Sequence, residues 1–78
     1  MAKYRYPMVI EEAEHNYSAY LPDIDGCVTT GKTVEETIKN MQEALHLHLG
    51  SMLKDGDPIP SASTVDYVEV EISQVKAS

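Results

Sequence analysis

Residues 33–56 read TVEETIKNMQEALHLHLGSMLKDG, and this stretch decides the fold. Thr33 and Glu36 stand at capping-box spacing: the Thr33 hydroxyl can accept from the Glu36 amide, and the Glu36 carboxylate can reach back to Thr33. From that start, Val34, Ile38, Met41, Leu45, Leu49 and Met52 recur at spacings of three and four, the stripe of an amphipathic helix. Lys54 suits the negative end of the helix, and Gly56 suits a left-handed cap. Asp57-Pro58-Ile59-Pro60 cannot continue it.

Upstream the period changes from helical to alternating. Tyr4, Tyr6, Met8 and Ile10 share one face of residues 3–12, and Lys3, Arg5, Pro7, Val9 and Glu11 share the other, the pattern of a half-buried strand. Pro7 cannot donate to a ladder, which places this strand at an edge or puts a bulge at Pro7. Glu14-His15-Asn16 suits a hairpin turn. Tyr17 to Leu21 alternate again, Pro22 to Gly26 are turn-formers, and Cys27 to Thr30 form a third short run.

Downstream of the prolines, Val68, Val70 and Ile72 alternate with Tyr67, Glu69 and Glu71, which predicts a last strand. The reading is α+β with order β-β-β-α-β: one antiparallel sheet with a single amphipathic helix on one face, two layers around one core. It spans residues 1–73 as one domain, with a disordered tail over 74–78. The outer sheet face would carry Arg5, Val9, Tyr20, Glu69 and Tyr67, a mixture that suits either solvent or a second subunit.

Seventy-eight residues give a thin core, and small domains offset that with disulfides, metals or partners. One cysteine excludes an internal disulfide, and no cysteine and histidine blocks suit structural zinc. Self-association is therefore expected. No apolar run is long enough for a signal peptide or a membrane span, so a cytoplasmic location is expected. Six Lys and Arg against thirteen Asp and Glu give a formal charge of −7. That disfavours direct contact with nucleic acid and favours a basic partner.

Each candidate for chemistry meets a simpler reading. His46 and His48 are two apart and do not share a helix face, so they do not form a metal pair. Cys27 lies among acids, which raise a thiol pKa, and reads as a small buried apolar residue. Asp23 and Asp25 resemble a fragment of a calcium loop but lack its later ligands. No catalytic residue, metal site or cofactor is expected. Glu11, Glu12, Glu14, Asp23 and Asp25 place five acids in fifteen residues without Lys or Arg. They are either a solvated rim or the partner-binding surface.

Taken together, several segments resemble the HicB family of antitoxins and solo HicB-like proteins. They are Tyr4-Arg5-Tyr6-Pro7 through Glu12, Tyr17 through Cys27 with its Leu21-Pro22-Asp23, Thr30-Gly31-Lys32-Thr33 with Glu35-Glu36, Glu43-Ala44-Leu45, and Asp55 through Pro60. Asp25 departs from the family, which often has proline there. The resemblance implies a partial RNase H-like unit. It also implies an antitoxin role: masking HicA, a small basic RNA-cleaving toxin. The alternative it leaves open is a stand-alone oligomeric scaffold or regulator. Family antitoxins carry a C-terminal DNA-binding module. Here the chain runs only to Ser78, so no direct DNA binding is expected.

Overall fold

A computed structural model describes residues 3–73. Three strands and one helix follow in chain order: β1 (Val9–Glu12), β2 (Tyr17–Tyr20), β3 (Val28–Gly31) and α1 (Val34–Asp55). The strands form one antiparallel sheet in the order β1-β2-β3.

The register explains why the strands are short. Val9 pairs with Tyr20, and continuing that register two residues outward sets Pro7 opposite Pro22. Neither has an N–H, so the ladder stops at Val9 and Tyr20. The strand expected over residues 3–12 is thus confined to Val9–Glu12, at an edge as Pro7 required.

The helix begins and ends at the signals in the sequence. The Thr33 hydroxyl accepts from the Glu36 N–H at 3.0 Å. The Glu36 carboxylate, however, accepts from the Lys32 N–H at 2.7 Å, one residue before the expected Thr33. At the other end Gly56 is left-handed, at φ 76°. Its N–H donates to the Leu53 carbonyl at 3.2 Å, and the Asp57 N–H donates to that of Met52 at 2.9 Å, a Schellman closure.

The buried face of α1 is rotated from the expected stripe. Thr37 is fully buried while Val34 and Ile38 are each 37% exposed; Met41 and Leu49 are buried, and Ala44, Leu45 and Met52 pack beside them. Gly31 sets this rotation. A Cβ on Gly31 would lie 2.7 Å from the Thr37 backbone nitrogen, so only glycine lets the first turn of α1 settle on the end of β3. The Thr37 hydroxyl turns back to the Thr33 carbonyl at 2.7 Å, and among the described residues no buried side-chain polar atom is left unpaired.

The core comprises Ala19, Leu21, Ile24, Cys27, Met41 and Leu49, with Tyr6, Met8, Ile10 and Ile59 at its margin. On the opposite sheet face, Val9, Tyr20 and Val28 are in register and form an apolar row. The last strand expected over Tyr67–Ile72 does not form: residues 57–73 hold no strand among the described residues. Its side chains stay largely in solvent, with Tyr67 92%, Val68 96%, Val70 80% and Ile72 68% exposed. The alternation is a strand's, but no sheet edge receives it within the chain. As an arm it stretches the molecule to 59 Å, with a radius of gyration of 16.8 Å against about 12 Å for a compact chain of this length. The tail expected over 74–78 lies outside the described residues.

Candidate protein-binding surface

The five acids singled out in the sequence do not converge. Glu11, Glu12 and Glu14 gather at the β1–β2 hairpin, all exposed. Asp23 and Asp25 lie in the β2–β3 loop, at the other end of β2. Four paired residues separate the two ends, on the order of 13 Å of strand.

The two groups also differ in what their carboxylates do. Asp23 accepts from the Ser63 N–H at 2.9 Å and from the Ser63 hydroxyl. Those bonds hold its carboxyl below the usual carboxylate range. Asp23 therefore fastens the chain after α1 to the loop before β3. Tyr6 does the same from the other side, donating its hydroxyl to the Pro60 carbonyl at 2.6 Å. Burial, with Tyr4 and Asp23 nearby, pushes its pKa up. The hairpin acids have no such partners. Among the described residues the one acid–base contact is His15 Nε2 with Glu14 Oε1 at 3.7 Å, both highly exposed and energetically minor. The hairpin thus presents unneutralised charge.

The residues weighed for chemistry stay apart. Cys27 is buried with its thiol 3.7 Å from the Met41 sulfur, and burial raises its pKa, which disfavours the reactive thiolate. His46 is exposed and His48 half-buried on α1. Among the described residues no three His, Cys, Asp or Glu side chains are placed to hold a metal. No described helix is long and apolar enough to cross a membrane.

Two features went unread in the sequence. One is the Asp23–Ser63 tie, which joins residues 40 apart and leaves no periodic signal. The other is the difference between the sheet edges. The Ala13 N–H donates to the Asn16 carbonyl at 2.7 Å. By antiparallel alternation, Glu11 and Val9 then bond inward to β2, while Ile10 and Glu12 turn their backbone groups outward. Among the described residues nothing on the backbone meets them. On β3 the outward Thr30 carbonyl is taken by Asn40 Nδ2 at 2.8 Å. The outer edge of β3 is thus met by α1 at Thr30, while the outward backbone groups of Ile10 and Glu12 have no partner among the described residues.

Against known proteins, a family model described as HicB-like antitoxin of bacterial toxin-antitoxin system matches residues 6–75. A UPF0150 protein of Helicobacter pylori is 45% identical over 47 residues, covering 60% of this chain and 65% of that protein. Antitoxin HicB 1 of Photorhabdus laumondii is 35% identical over 72 residues, covering 88% of this chain and 46% of the antitoxin. The chain thus spans less than two thirds of either relative. A chain of the solved HicA3 and HicB3 toxin-antitoxin complex superposes with a TM-score of 0.65 at 35% identity, over 77% of this chain and 70% of that one. With three antiparallel strands, one capped helix and this match over most of its length, the chain belongs to the HicB-like antitoxin family.

Proposed function

We propose that this chain is the antitoxin-like partner of a small basic RNA-cleaving toxin, that it masks the toxin by binding, and that it acts in the cytoplasm as a homo-oligomer. The observation that carries the reading is its likeness, at 35% identity, to a chain solved within a toxin-antitoxin complex. A formal charge of −7 supports it, because complementary charge steers association with a basic surface. Glu11, Glu12 and Glu14 are the acids best suited to make that approach, being exposed together on one hairpin. Asp25 lies on the far loop, and Asp23 serves its own chain through Ser63. Binding of this kind calls for no catalytic residue, cofactor or nucleic-acid contact.

The test is co-expression with any small basic protein encoded in the adjacent reading frame. Restored growth and a complex that survives purification support the reading. A toxic neighbour that forms no complex at micromolar concentration refutes it.

A further inference from the structure

The arm after Ser63 alternates as a strand does, yet among the described residues it pairs with no strand of its own sheet. Val68, Val70 and Ile72 form one apolar side, and Tyr67, Glu69 and Glu71 the other. Isolated exposed hydrophobics are ordinary, but a run of them on unpaired backbone is a strand awaiting an edge. We propose that a second copy of this chain supplies that edge, each arm adding as a strand beside β1 of the other copy in a two-fold dimer. This rests on the homo-oligomeric part of the function proposed above and names the surface that makes it.

Three observations select this occupant and this edge. First, the open edge is that of β1, since Asn40 covers the Thr30 carbonyl on β3. Second, the arm leaves the body beside that same edge: a groove of about 610 Å3 separates Val65 and Tyr67 from Pro7 and Val9. Ser63 and Val65 start the arm at the Arg5–Pro7 end of β1, so an arm closing on its own β1 would run parallel to it, whereas a copy related by a two-fold axis offers the same edge antiparallel. Third, charge fits one direction only. Lys3 and Arg5 precede β1, and Glu11 and Glu12 end it. An arm running antiparallel brings Glu69 and Glu71 to Lys3 and Arg5; a parallel arm brings them to Glu11 and Glu12. Opposite charges across strands stabilise, and like charges destabilise.

Two arms pairing with each other fit less well. The register that matches Val68, Val70 and Ile72 among themselves sets Glu69 opposite Glu71, a like-charge pair. The exposed arm residues Val65, Tyr67, Val68, Val70 and Ile72 are given and received by both copies, so the arm contributes its apolar surface to the interface twice.

Analytical ultracentrifugation of the full chain tests this without any toxin, so a failed toxin reading leaves the result intact. The native chain is expected to sediment as a dimer. Val68→Asp with Val70→Asp alters two highly exposed residues and should leave the circular dichroism of the folded body unchanged. It should raise the dimer Kd at least about a hundredfold. Arg5→Glu should weaken the dimer by about tenfold, and adding Glu69→Arg should restore it. A dimer unaffected by the valine changes, or a charge exchange that fails to restore it, overturns the arm while leaving the oligomer. A native chain that stays monomeric overturns the oligomer itself.

Discussion

Asp23 holds Ser63 by two bonds, one from its backbone N–H at 2.9 Å and one from its hydroxyl. That tie fixes the point from which the arm departs. The Asp23 pKa is lowered because both bonds are stronger to the ionised carboxylate. A carboxyl with a depressed folded pKa contributes stability above its unfolded value and loses it as pH falls through the folded one. The tie should therefore persist at pH 3.8, the ordinary value for an Asp, and open only below it. Asp23→Asn keeps a single acceptor. It should remove this acid transition and raise proteolytic cleavage around Ser63, read by mass spectrometry across pH. Unchanged cleavage in the variant would dismiss the tie.

Gly31 and Thr37 meet more closely than any side chain allows. Gly31→Ala would set a Cβ 2.7 Å from the Thr37 nitrogen and 2.9 Å from its Cα. Backbone cannot yield as a flexible side chain can, so β3 and α1 must separate. The expected loss is about 1–3 kcal/mol in urea unfolding, the usual range for an overpacked core. Gly50 is the control. It lies in α1 with nothing within 4 Å of its added Cβ, and Gly50→Ala should stabilise by about 0.5–1 kcal/mol through helix propensity.

These two glycines mark what sequence shows and what it does not. The ends of α1 were legible because Thr33, Glu36 and Gly56 act on backbone a few residues away. The hairpin and the edge position of β1 were legible for the same reason, through Asn16 and Pro7. The rotation of α1 toward Thr37 was not: apolar periodicity favours Val34 and Ile38, while the choice was made by a close approach at Gly31. The last strand shows the other limit. Alternation at Val68, Val70 and Ile72 reports a strand but not which chain owns its partner. The acids at Glu11 to Asp25 are neighbours in sequence, and β2 carries them to opposite ends.

Cys27 should behave as part of the core. Its thiol is buried against Met41 and its pKa is raised by burial, so alkylation by iodoacetamide should proceed through unfolding. The rate should rise with urea in step with loss of the far-ultraviolet signal. Cys27→Ser places a hydroxyl where sulfur met sulfur, and is expected to cost about 1–3 kcal/mol. Met41→Leu keeps volume and should cost less than about 1.5 kcal/mol. Fast alkylation of the folded chain would show an accessible thiol and contradict this packing.

Under the function proposed above, the separation of the acids predicts an asymmetry in recognition of the basic partner. Glu11→Lys with Glu14→Lys reverses the unneutralised hairpin charge, and should slow association with the toxin by about tenfold or more at low salt. The difference from the native chain should shrink as salt approaches 1 M, where the screening length falls to about 3 Å. Asp25→Lys changes the far loop, where Asp23 already engages Ser63, and should alter the rate less. Stopped-flow mixing at two salt concentrations reads both. If Asp25→Lys slows association as much as the hairpin pair, the approach uses the whole acidic field and the hairpin loses its special role. If neither does, the acids are a solvated rim and recognition rests on uncharged surface.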